Sequence, residues 1–165
     1  MEEQYSVKRR LDENLQILKD KLGYKTTFDL IVRTIQAAHK KGALIFLDGF
    51  VNDYAVIEIM KSLMRIPRGG LTVNALEHLL HDYLPFYEIS TADDLQDAMV
   101  QVLSGTMLLL IDGVCTVFVL DVRQYPVRGI EEPDLERVTR GSREGFVETA
   151  LFNVNLIRRR IRDPM

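Results

Sequence analysis

Two histidines three residues apart, His78 and His81, with Asp82 beside them, are the first groups in this chain whose types and spacing could do chemistry. On a helix, positions i and i+3 share a face, so two imidazoles could turn toward one metal ion. No second Cys or His cluster completes a ligand set, and His39 stands alone. A polar helix face explains the pair more simply. Four carboxylates, Asp29, Asp48, Asp112 and Asp121, fall at or near the ends of apolar runs, where acid–base pairs often sit. Asp48 and Asp112 each precede a glycine, and turn formation accounts for them, because Asp bonds its own backbone and tolerates the left-handed region. Asp121 lies two residues from Arg123 and is expected to pair with it. Arg140–Phe146 is a basic, glycine-containing loop ahead of a helix, and backbone N–H groups at a helix start favour anions. It lacks the Lys-Ser/Thr of a phosphate loop and does not directly follow a strand. Arg140, Ser142 and Arg143 are therefore candidates for an anion or small-molecule site. The favoured role for these arginines is pairing with Glu131, Glu132, Asp134 and Glu136. No catalytic, metal or cofactor site assembles from these groups, so the expectation is a protein that is not an enzyme.

These residues need elements to position them. A chain of 165 residues fits one domain, with or without a helical extension. At this size roughly 70% of the extended surface can be buried, enough for a true core. The formal net charge is −3, which gives no overall pull toward nucleic acid or anionic membrane. The distribution is uneven: residues 123–165 hold nine arginines against seven acids. A single cysteine, Cys115, excludes an internal disulfide and fits a reducing compartment. The first residues, Met1 to Tyr5, lack the basic and apolar regions of a signal peptide. No apolar stretch reaches the ~18 residues of a spanning helix.

Residues 1–10 are polar and read as a frayed end. Leu11, Leu15, Leu18 and Leu22 recur at helical spacing, and Gly23 is placed as a stop. Phe28 to Ile35 reads as a strand interrupted by Asp29 and Arg33. Lys40 to Gly42 reads as a turn, and Ala43 to Leu47 as a buried strand. Asn52 or Asp53 can cap a helix over 54–65 that is apolar on most faces, as in a helix covered on two sides or part of an interface. Asn74 with Glu77 suggests another capped helix, and Phe86 to Ile89 a short strand. Thr91 with Asp94 repeats the capping pattern before Leu95, Ala98, Met99, Val102 and Leu103. Met107–Ile111 and Cys115–Leu120 flank Asp112-Gly113, a hairpin signal. The final helix, 146–162, lines Val147, Ala150, Leu151, Val154, Ile157 and Ile161 along one stripe and ends in four arginines within 158–162. Those arginines suit the negative end of a helix dipole, or anionic lipid head groups. The expected class is α/β (α+β): a mixed sheet of about four strands flanked by helices, with a C-terminal amphipathic exit helix. The organisation is a helical segment at 1–22, an α/β subdomain at 23–145 and a linking helix at 146–165.

The runs Asp121–Pro126, Glu131–Val138, Arg140–Glu148 and Asn155–Asp163 resemble the A subunits of bacterial spore germinant receptors. Glu-Pro-Asp-x-Glu-Arg-Val with Arg-Gly-Ser-Arg looks most like the stage V sporulation AF type, since receptor A subunits commonly carry Pro where Ser142 stands. The resemblance implies a fragment of a longer protein, with a soluble N-terminal region of two α/β subdomains on the cytoplasmic, spore-core side of the spore inner membrane. It implies a role in endospore germination as part of an ion-conducting complex. The partners it implies are other subunits of that complex, with a homo-oligomer compatible, no nucleic acid, and membrane contact through segments missing here. It brings no catalytic residue, cofactor or metal. It marks Arg123, Tyr125, Pro126, Arg128, Glu132, Pro133, Glu136, Arg140, Gly141, Gly145, Glu148, Asn155, Arg158 and Arg160 as structural or coupling positions. The expected device is arginine–carboxylate pairing within 121–163 that fixes the exit helix, because bidentate arginine–carboxylate bonds are directional.

Overall fold

The computed structural model describes residues 5–68, 83–84, 88–124 and 150–161. In chain order they form α1 (Leu11–Lys21), β1 (Leu30–Ala37), β2 (Lys40–Leu47), α2 (Asp53–Met64), β3 (Ile89–Ala92), α3 (Leu95–Leu103), β4 (Met107–Ile111), β5 (Val117–Leu120) and α4 (Ala150–Ile161). The α/β class holds. The sheet has five strands rather than about four, in the order β1-β2-β4-β5-β3, and it is antiparallel at every pairing rather than mixed. The reason lies in how the sheet is covered. Near-continuous apolar strands such as Ala43–Leu47 and Met107–Ile111 are the mark of burial on both faces, which is most common in sheets with parallel strands. Here helices cover both faces of an antiparallel sheet.

Alternate residues of the same strands feed two separate cores, as the two-residue period of a strand demands. Ala43, Ile45, Leu47, Leu108 and Leu110 join Leu11, Leu15, Leu18, Leu95 and Val102 under α1 and α3. Leu44, Phe46, Met107, Leu109 and Ile111 join Val56, Ile59 and Leu63 of α2 on the opposite face. The molecule is thus a three-layer sandwich. α2 buries only this one stripe, while Tyr54, Ile57 and Met64 are exposed.

Local chemistry sets the boundaries. Asn52 caps α2 by accepting from the Ala55 N–H. Asp94, not Thr91, caps α3, accepting from Gln96 and Asp97, because Thr91 is already committed to β3. That strand begins at Ile89, where the expectation placed its end. The turn between β1 and β2 is at Ala38–His39, both at positive φ, and not at Lys40–Gly42, which pair with Ala37, Gln36 and Ile35. Two consecutive left-handed residues give the tight hairpin its strand-matching twist. Asp112 does more than turn the chain: its carboxylate accepts from the Leu11 N–H and caps α1, whose preceding Arg10 has no capping side chain. Cys115 lies exposed in that turn and not in the strand. Residues 5–7 are not frayed, since Val7 and Tyr5 exchange backbone hydrogen bonds with Asp93 and Leu95.

Candidate functional site

The open end of the β1–β2 hairpin is where distant parts of the chain converge. Leu30 pairs with Leu47 at the last rung, and just beyond it the Asp48 N–H donates to the Asp29 carbonyl at 2.8 Å. The next residue, Gly49, turns the chain at φ +77°, a conformation that suits glycine. The strand exiting β5 returns to the same place: Asn52 donates to the Val122 carbonyl at 2.9 Å and Gln124 to the Phe50 carbonyl at 2.7 Å.

α4 docks on this end. Arg158 spans the Asp29 carboxylate with two bonds, Nε to Oδ2 at 2.6 Å and a terminal guanidinium nitrogen to Oδ1 at 2.8 Å. The Asp29 side chain is fully buried and that of Arg158 is 13% exposed. A forked, charge-assisted pair of this kind fixes orientation as well as distance. One turn earlier Asn155 is buried and lies over Gly49, where an added Cβ would sit 2.3 Å from its amide nitrogen. Leu151 touches the same glycine. The docked face of α4 is therefore Leu151, Asn155 and Arg158, at i, i+4 and i+7.

This corrects the expected apolar stripe. Ile157 and Ile161 are exposed, because the seat offers a carboxylate and a bare glycine and so selects the polar edge of the helix. Glu131, Glu132, Asp134, Glu136 and Glu148, the acids of the 121–163 segment expected to pair with arginine, lie outside the described residues. Arg158 is also held by Asp29, 129 residues away in sequence and outside that segment, which reads from sequence as one of four carboxylates near the ends of apolar runs. The signal for Asp29 was a carboxylate directly before an apolar strand. Gly49 carried no signal beyond turn formation.

Arg123 pairs with Asp121 as expected, with its Nε 2.8 Å from Oδ1. Chiefly through that hydrogen bond, it holds the Asp121 carboxyl below the usual carboxylate value. Arg160 is on the exposed side of α4. Tyr125, Pro126, Arg128, Glu132, Pro133, Glu136, Arg140, Gly141, Ser142, Arg143, Gly145 and Glu148 lie outside the described residues, as do His78, His81 and Asp82. Among the described residues no group of three or more His, Cys, Asp or Glu could hold a metal ion. No described helix is long and apolar enough to cross a membrane.

The described residues thus form a sheet sandwich with the helix α4 clamped to the open end of its first hairpin. The chain belongs to the GerA family of Bacillus/Clostridium spore germination proteins, whose model matches residues 16–165. It is 35% identical to stage V sporulation protein AF of Bacillus subtilis over 162 residues, covering 98% of this chain and 33% of that protein. It is 27% identical to spore germination protein GerLA of Bacillus cereus, covering 93% of this chain and 31% of the relative. The chain thus spans about a third of the length of these relatives. The crystal structure of the N-terminal domain of the A subunit of the Bacillus megaterium spore germinant receptor GerK3 superposes with a TM-score of 0.72. That match is at 27% identity and covers 96% of this chain and 57% of the other. The expected family resemblance is borne out.

Proposed function

We propose that this chain is the cytosolic N-terminal region of a spore-membrane germination protein. It acts without catalysis, by assembling with other subunits and passing a conformational change to an ion-conducting membrane region during germination. The observation that carries this reading is the buried Asp29–Arg158 pair. While it is docked, a helix clamped through a directional two-bond contact moves with the sheet as a unit, so displacement of one is transmitted to the other. The similarity to the N-terminal domain of a germinant receptor A subunit supports it. So does a span of one third of relatives named for spore germination, which leaves room for a membrane portion.

The test is Asp29→Asn and Arg158→Met, each introduced into the full-length protein. Germination and ion release should slow while the amount of protein in the spore membrane stays at the wild-type level. Wild-type kinetics in both variants would remove the clamp from the mechanism.

A further inference from the structure

We propose that α4 is a releasable latch, and that Asn155 is the residue that keeps its docked state marginal. The inference rests on the reading that α4 carries movement out of the sandwich. It adds that the helix leaves its seat while the sheet stays folded.

The docked face of α4 holds little that would fix it permanently. Taking Asp29 and Arg158 out of water roughly cancels their mutual attraction, so the pair orients the helix more than it stabilises the contact. Asn155 is 3% exposed, and among the described residues neither its amide oxygen nor its amide nitrogen has a hydrogen-bond partner. Docking therefore strips this amide of bulk water with no hydrogen bond returned by the described residues, a net loss for a buried polar group. Leu151 against Gly49 supplies apolar contact, but it is only half-buried, and Ile157 and Ile161 look outward at 43% and 62% exposure.

The close approach at Gly49 sharpens the point. Only a residue without a Cβ lets Asn155 come this near, yet the group brought there makes no hydrogen bond among the described residues. A leucine of similar branching would cover the glycine without that loss. The geometry selects an amide where packing alone favours a hydrocarbon, which is what a contact meant to open requires. By contrast, β4 is buried along its whole length between two helical layers.

Amide hydrogen exchange on the 165-residue chain tests this. In the wild type, amides of α4 should exchange at least about 100-fold faster than those of Leu108–Leu110, the local-opening signature. Asn155→Leu should slow α4 exchange about tenfold, and Asn155→Ala should slow it less, by removing the stranded amide. Arg158→Met should speed it at least about tenfold while β4 exchange stays within about threefold of wild type. Exchange of α4 in step with β4 would overturn the latch, since the helix would then open only on global unfolding. Failure of both Asn155 variants to slow exchange would overturn the role of the amide. No spore or membrane enters the measurement. Signal transfer can thus fail in germination assays with the latch intact, and the latch can fail here with that reading standing.

Discussion

Replacing Arg158 with Met removes the cation from a carboxylate that has no access to water. Breaking one side of a buried pair typically costs about 3–5 kcal/mol, because the remaining charge is stranded. Two features of this site lower that figure. Arg158 keeps 13% of its side-chain surface in solvent, so the pair is not wholly dry. Asp29 also regains water if α4 swings away, so the loss cannot exceed the free energy that docks the helix. We expect Arg158→Met to cost about 2–3 kcal/mol. At roughly 2–4 °C per kcal/mol for a chain of this size, its melting temperature should fall by about 5–10 °C. Asp29→Asn leaves a neutral amide under a cation that retains some hydration, and should cost less. The decisive assay is a double-mutant cycle by urea denaturation with Asp29→Asn, Arg158→Met and both together. The double variant carries no stranded charge, so it should recover at least about 1 kcal/mol relative to the sum of the singles. Additive effects of less than about 0.5 kcal/mol each would be the behaviour of an exposed pair, and would refute the argument from burial.

Gly49→Ala should destabilise the chain in two separable ways. The left-handed backbone at φ +77° costs an alanine about 1–2 kcal/mol, and the new methyl meets Asn155 at 2.3 Å, displacing α4. In an Asn155→Ala background the shortest clash is gone and the backbone cost and the 3.2 Å contacts with Leu151 remain, so the penalty measured by denaturation should shrink by about 1 kcal/mol or more. Equal penalties in the two backgrounds would mean that the helix does not rest on this glycine. Asp121 has its folded-state pKa lowered below 3.8 by Arg123, so its contribution is present above pH 3.8 and is lost as pH falls through the lower folded value. Arg123→Gln should move the Asp121 carboxyl titration, followed by NMR, upward toward 3.8. A titration that does not move would show that the guanidinium is not the cause.

Much of the architecture was legible because it follows from short-range rules. The leucines of α1, the apolar template of α3 and the Asn52 cap depend on neighbours within one or two turns, and each is found where periodicity puts it. Asp121 and Arg123 are two residues apart and pair by proximity alone. The Ala38–His39 turn was missed because neither residue advertises a positive φ, and Lys40-Lys41-Gly42 competes as the more turn-like run. Asp94 was misplaced by one role because Thr91 and Asp94 are both capping types, and only strand pairing removes Thr91 from the contest.

The candidate site divides along the same line. The sequence alone determined where α1, α2 and α3 form and that the runs Ala43–Leu47 and Met107–Ile111 become buried strands. Those properties arise from side-chain type and from hydrogen bonds that close within a few residues. Tertiary structure decided which carboxylate is used and which edge of the helix is buried. Asp29 meets Arg158 across 129 residues because the β1–β2 ladder brings residues 29 and 48–49 to one end of the sheet, where the returning chain arrives. No local spacing encodes that meeting. It is set by the order in which five strands pack between two helical layers, and packing joins residues without regard to their separation along the chain.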